Sequence, residues 1–156
     1  MGMSITLRDY LDSFGIRYDL LHHDRTGCSS ETAQAAHIPV DNLAKSVVVE
    51  DDRECLVCVI PANHYLAFSA LDNLLDSHYY LATEEELIDL FGDCERGAVP
   101  DAAQAFGIKV LVDDRLLDCE DIYFEAGDHT ELVHMNGEEF ESLMAQAGHG
   151  QFSRHA

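Results

Sequence analysis

Ala44-Lys45-Ser46-Val47-Val48-Val49-Glu50 is the stretch whose reading decides the fold. Three consecutive valines give it the composition of a core strand, because side chains forked at Cβ fit a pleated, half-buried surface. Lys45, one of two lysines in the chain, stands at the mouth of that run, where a strand end meets solvent or a pocket. Its ammonium there either snorkels to water or meets an anion or a carbonyl.

Working outward, Cys55 to Pro61 reads as a second central strand, joined to the first by the charged connection Asp51-Asp52-Arg53-Glu54, as in a hairpin. Upstream, Leu7, Tyr10, Leu11 and Phe14 recur at helical spacing before Gly15, which predicts a helix over 5–14. Residues 17–22 alternate as a strand. A polar turn from His22 to Ser30 then leads into a helix reaching Ala36, with Ser29 as its cap and Glu31 in its first turn. Downstream, the pattern predicts a helix over 69–75, a strand over 78–82, and a capping box at Thr83-Glu84-Glu85-Glu86 opening a helix through Phe91. Strands follow at 108–112, 122–125 and 131–135, and Asn136 with Glu139 caps a last helix carrying Phe140, Leu143 and Met144. Interspersed helices and strands with a hairpin among them exclude a purely parallel sheet. The expected architecture is α+β, a curved, mixed, partly barrel-like β-sheet with flanking helices, forming a single domain over residues 1–156.

The chain is long enough to bury a core without metal or disulfide staples. Residues 1–16 form an amphipathic helix rather than a signal peptide, and no apolar run has membrane-spanning length. Five cysteines, scattered singly except for Cys55 and Cys58, do not make a secreted disulfide framework. A cytoplasmic protein with no membrane and no DNA partner is expected. Nine basic against 30 acidic side chains give a formal charge of −21, and such a surface repels phosphate backbones, whose binding is driven by Lys and Arg releasing counterions.

Cys55-Leu56-Val57-Cys58 has C-x-x-C spacing, but in a strand residues three apart point to opposite faces, and no second pair completes a four-ligand site. Both cysteines read as buried small hydrophobes. His22, His23, Asp24, His129 and His134 form the pool for a metal, without any H-x-x-x-H or H-E-x-x-H spacing. No G-x-S-x-G or phosphate-binding loop is present. Two further stretches carry chemistry. In Asp93-Cys94-Glu95-Arg96-Gly97-Ala98-Val99-Pro100, a glycine and a proline three residues apart fix a turn that can aim backbone amides at a carbonyl or a developing oxyanion. In Ala126-Gly127-Asp128-His129, a tight turn between strands can present His129 to a cleft.

Together with Ser29-Ser30-Glu31-Thr32-Ala33 and Val59-Ile60-Pro61-Ala62, and in this order and spacing, these stretches resemble the YbaK / prolyl-tRNA synthetase-associated domain family, whose members hydrolyse mischarged aminoacyl-tRNA. The likeness spans nearly the whole chain and is strongest to stand-alone deacylases with a Cys-Glu-x-Gly-Ala-x-Pro loop. The resemblance implies a site in which Lys45, Gly97, Ala98 and Pro100 carry catalysis, while Thr26, Ser29, Ser46, Val99 and His129 bind the aminoacyl group. Arg25 and Arg96 would contact tRNA. It implies no metal and no cofactor; its partners are the acceptor end of an aminoacyl-tRNA and, further, an aminoacyl-tRNA synthetase. The chain departs from the family loop after Pro100, where Asp101, Ala102 and Ala103 replace a second proline and a glycine. The expected activity is ester hydrolysis in trans. The rival expectation, which the acidity and the altered loop favour, is a non-catalytic module of the same fold; a third is a histidine-bound metal hydrolase.

Overall fold

The computed structural model describes residues 3–25, 29–94 and 102–155, with only the backbone described at 29 and 30. In chain order the elements are α1 (Ile5–Ser13), β1 (Asp19–His22), α2 (Ser29–Ala36), β2 (Ala44–Glu50), β3 (Cys55–Pro61), β4 (His64–Leu66), α3 (Phe68–Leu75), β5 (Tyr80–Leu81), α4 (Glu84–Leu90), β6 (Lys109–Asp113), α5 (Asp114–Leu117), β7 (Asp121–Glu125), β8 (Glu131–Asn136), α6 (Gly137–Leu143), β9 (Gly148–Gly150) and β10 (Ser153–His155). Short 3-10 turns cover Val40–Asn42 and Ala103–Phe106.

The valine-rich strand is central, as its composition requires. It pairs antiparallel with β3 in the register Lys45 to Ile60 and Glu50 to Cys55, and on its other side with β5. β3 pairs parallel with β6, and β6 parallel with β9, giving a mixed five-stranded sheet in the order β5-β2-β3-β6-β9. A second, antiparallel sheet has the order β1-β8-β7, and β10 pairs with β4 as a separate ribbon. One parallel bridge, Leu43 to Tyr123, joins the first two sheets. The architecture is α+β as expected, but among the described residues the strands form three sheets with no closed barrel, which corrects the partly barrel-like expectation. The physical reason is the edges: β5 and β9 are too short to continue the pairing around.

Alternation along β2 and β3 divides the interior. Ala44 and Val48, with Val57 and Val59, face a core shared with Leu7 and Leu11 of α1, Phe124 of β7 and Phe140 of α6. Val49, with Leu56, Cys58 and Ile60, faces a second core closed by Leu71 of α3, Leu66 and Phe152. A third small core, Ala33, Leu43, Ala62 and Leu132, seats α2.

The capping signals hold. Thr83 and Glu86 form a reciprocal capping box on α4, and the Asn136 side chain accepts from the Glu139 amide, although the Glu139 carboxylate turns away to Arg17. The three-residue strands β4, β9 and β10 and the one-turn helix α5 are additions to the expected elements. Cys58 is fully buried, whereas Cys55 is only partly so and faces the other side of the sheet, so the reading of both as buried holds for Cys58 alone.

Candidate active site

Lys45 occupies the first pleat of β2 after Ala44, opposite Ile60. Directly paired residues share a sheet face, which puts Lys45 on the side of Ile60 and Val49; Ser46, one residue on, takes the opposite side with Ala44 and Val48. Both are partly buried. Among the described residues no carboxylate pairs with Lys45. Burial alone acts on its ammonium and lowers its pKa below the ordinary lysine value, because desolvation penalises the charged form. A partly desolvated cation without a counter-charge is suited to meet a carbonyl or an anion brought in by a ligand.

The Ala126-Gly127-Asp128-His129 turn is built by a backbone that only glycine takes comfortably: Gly127 has φ +119°. A Cβ there would stand 2.8 Å from the Ser4 Cβ and 2.9 Å from its amide nitrogen. Asp128 is buried, and its Oδ1 accepts from the amides of Thr130 and Glu131, both at 3.0 Å. Its Oδ2 is enclosed without a partner. His129 follows, half-buried. Beside this turn His23, also buried, donates its amide to Thr130 O at 2.8 Å and its Nδ1 hydrogen to Asp24 O at 2.7 Å. A carbonyl can only accept, so Nδ1 carries a hydrogen, and Nε2 is enclosed without a partner among the described residues. From the sequence His23 had only a place in the metal pool and Asp128 none; the only signal for Asp128 was the Gly-Asp pair, an ordinary turn signature.

The N-terminus of α1 ties two of the three stretches together. The Ser4 amide donates to Ala126 O at 2.7 Å, and the Ser4 hydroxyl donates to Asp93 Oδ1 at 2.8 Å while accepting from the Leu7 amide. Asp93 Oδ2 in turn accepts from the Thr6 amide at 2.9 Å. Burial opposes the Asp93 charge, but these hydrogen bonds outweigh it and hold its carboxyl below the usual range. The start of the glycine/proline loop and the Gly127 turn are thus fastened to one helix cap. Glu95 to Asp101, and with them Arg96, Gly97, Ala98, Val99 and Pro100, lie outside the described residues, as does Thr26. Ser29 opens the backbone of α2, and Arg25 is exposed just before the undescribed turn. The structure therefore brings Ser4, Asp93 and the Gly127 turn together, and sets Lys45 and Ser46 on opposite faces of one strand.

The thiols lack nucleophilic character. Burial pushes Cys58 up to about 12, and burial with the Asp93 charge does the same to Cys94, leaving them protonated near neutrality. Among the described residues, the one group of three possible metal donors is Glu50, Cys55 and Glu86, whose ligand atoms lie within 4.8 Å of one another; it contains none of the histidines of the expected pool. His134 is held instead between Asp19 Oδ1 (2.7 Å, Nδ1) and Asp121 Oδ1 (2.9 Å, Nε2), stacked on Tyr123. Burial opposes its charge, yet the two carboxylates prevail and raise its pKa.

The fold recurs in solved structures. The fold matches the crystal structure of a hypothetical protein with a TM-score of 0.85 at 22% identity, covering 96% of this chain and 99% of that one. It also matches a proposed trans-editing enzyme for prolyl tRNA synthetase with a TM-score of 0.83 at 20% identity, covering 97% and 96%. A proposed signal transduction protein from Marinobacter aquaeolei gives 0.78 at 20% identity, with 97% of this chain covering 31% of that longer one. No curated protein matches in sequence. The family model for the aminoacyl-tRNA editing domain matches residues 23–143. The chain belongs to the aminoacyl-tRNA editing domain family.

Proposed function

We propose that the protein hydrolyses the ester bond of mischarged aminoacyl-tRNA in trans. The observation that carries this reading is Lys45: a partly buried ammonium, without a carboxylate partner among the described residues, at the start of the central strand of an editing-domain fold. Water attacks the ester carbonyl carbon, the carbonyl oxygen takes the negative charge, and the bond to the ribose oxygen breaks, that oxygen leaving with a proton as the terminal adenosine hydroxyl. Lys45 binds and polarises the carbonyl and faces the developing oxyanion, a role in which one well-placed donor contributes about 10²–10³ in rate. An aminoacyl ester is already activated, so orientation and charge stabilisation suffice without a covalent nucleophile. By the family resemblance, the Gly97, Ala98 and Pro100 backbone orients the ester, and Thr26, Ser29, Ser46, Val99 and His129 shape the amino-acid pocket. Arg25 and Arg96 receive the acceptor end. A synthetase that delivers the tRNA is the expected protein partner.

The acidic surface favours a second reading, a non-catalytic module of the same fold that binds an amino-acid-like ligand. The test is release of amino acid from a panel of mischarged tRNAs by the purified chain. Release above the uncatalysed rate that falls about 10²-fold in Lys45→Ala supports the enzyme; no release from any tRNA supports the module.

A further inference from the structure

The ribbon of β4 and β10 carries a cavity of a different electrical character from the rest of the molecule. It measures about 190 Å³ and is lined by Ala67, Ala70, Arg115, Gln151, Phe152, Ser153 and Arg154. In a chain with 30 acidic side chains, this wall holds two guanidinium groups and no carboxylate. The contrast with two other cavities is direct: one is lined by Glu120, Glu138 and Glu141, another by Asp12 and Asp19 beside Arg17.

Asp113, the carboxylate bonded to residues of this wall, is buried and already engaged. Its Oδ2 accepts from the Ser153 hydroxyl at 2.7 Å and the Phe152 amide at 3.3 Å, and its Oδ1 from the Arg115 amide at 3.0 Å. Arg115 is held in place through one nitrogen: Nη1 donates to Ser153 O at 3.0 Å and lies 3.6 Å from Asp113 Oδ1. Its Nε and Nη2 have no partner among the described residues, and neither has the exposed guanidinium of Arg154. His64, bonded to Ser153 Oγ at 2.9 Å, has its pKa lowered by burial and then by the Arg115 charge, against the opposing pull of Asp113. The amides of Phe68, Ser69 and Ala70, at the start of α3, face no side-chain cap and no acidic residue in the first turn. Ala67 and Ala70, at this end of the helix, line the cavity.

Tyr65, half exposed, stands directly opposite Arg154 in the ribbon register and therefore on its face. A guanidinium beside an open aromatic ring suits a nucleotide, with the phosphate on the cation and a base on the ring. The place also suits the proposed activity. Five residues separate Tyr65 from Ile60, the partner of Lys45, so the two Cα atoms lie at most about 18 Å apart.

We propose that the Arg115–Arg154 cavity binds a phosphate group, its source the backbone of the RNA whose 3′ end reaches Lys45. That choice of source rests on the proposed editing activity; the phosphate chemistry does not.

The test uses the full chain, inorganic phosphate and deacylated tRNA as probes, and the variants Arg154→Ala and Ala70→Glu, both at surface-accessible positions. In the wild type, phosphate is expected to shift the amide resonances of Phe68, Ser69 and Ala70, and each variant to weaken that titration at least tenfold. Arg154→Ala is expected to weaken tRNA binding about 3- to 10-fold and to reduce the magnitude of the log K against log salt slope by about 0.7–0.9, the loss of one phosphate contact. Phosphate shifts with tRNA binding indifferent to Arg154 would uphold the phosphate site and overturn RNA as its source. No shift at tens of millimolar phosphate, with tRNA binding unchanged in both variants, would overturn the site itself. Hydrolysis is scored separately: a chain that releases no amino acid yet gives the phosphate shifts overturns the proposed activity and leaves the site standing.

Discussion

Lys45 and Glu50 stand five residues apart on β2, at its two ends, and meet opposite surroundings. Lys45 is partly buried without a counter-charge among the described residues, and burial lowers its pKa. Glu50 faces a second carboxylate, Glu86, and a hydrogen bond between them raises the Glu50 pKa; the same bond lowers Glu86, helped by the Thr83 hydroxyl and amide of the capping box, so Glu86 is the anion of the pair. One end isolates a charge and the other crowds two like charges at the solvent boundary. In a protein of charge −21, acidic neighbours are easy to find, so leaving a lysine without one is the rarer arrangement. The crowded end needs no functional explanation, since a helix cap supplies the reason Glu86 is there.

The comparison breaks first at Lys45. Lys45→Ala is expected to reduce hydrolysis about 10²–10³-fold while thermal unfolding shows no loss of stability. The sign follows from the shift: a folded pKa below the unfolded one means that burying the ammonium costs stability at neutral pH. That cost is relieved as pH rises from the folded pKa toward the ordinary lysine value. Activity moves the other way and falls as pH rises through the lowered Lys45 pKa, which a pH–rate profile reads directly. Unchanged hydrolysis in the variant would reduce Lys45 to the status of Glu50.

Gly127→Ala tests the turn that is fastened to Ser4. With φ at +119° and Ser4 backbone 2.9 Å from the new Cβ, the variant is expected to lose about 1–3 kcal/mol in denaturant unfolding. Ordinary stability would show that the turn relaxes away from Ser4.

His134→Gln removes a charge that, unlike Lys45, has two carboxylates. A raised histidine pKa contributes stability that is fully present below about 6.5 and is lost as pH rises through the folded value. The variant should therefore be less stable by about 1 kcal/mol or less below pH 6, the partners being largely exposed, and should converge on the wild type at high pH. A gap that widens with pH would contradict the assignment.

The smallest effect belongs to the crowded end. Glu50→Gln should raise the unfolding temperature slightly at neutral pH, and the gain should vanish as pH falls through the raised Glu50 pKa, where the wild-type carboxyl takes up its own proton. Hydrolysis should stay within about twofold of wild type, since Glu50 lies roughly 17 Å along the strand from Lys45. A large loss of activity would mean that the two ends of β2 are coupled.

What the sequence made legible followed from local rules. Ala44 to Pro61 could be read as a hairpin because seven-residue strands carry composition and a turn, and Thr83 with Glu86 because a capping box needs four residues. Gly148-His149-Gly150 and Ser153-Arg154-His155 have neither period nor β-branched weight, and they form strands only because β6 and β4 offer edges. The tie from Asp113 to Ser153 spans 40 positions. A polar triad assembled over that distance leaves no trace in any local window, which is why the cationic cavity above it was invisible while Lys45 was not. Lys45 itself was legible as a strand-end cation, but the face it shares with Ile60 rather than with Ser46 required the register.

The bond from Ser4 to Asp93 sets a timetable for manufacture. On the ribosome the Ser4 hydroxyl must wait for a partner 89 positions downstream, roughly 4 to 20 s at ordinary elongation rates. Its amide waits longer still, for Ala126. Through that interval Leu7 and Leu11 of α1 lack the later-made part of their core, Phe124 and Phe140 among it. The cap bond to Leu7 is local, so the helix end forms early and receives its two distant partners one after the other.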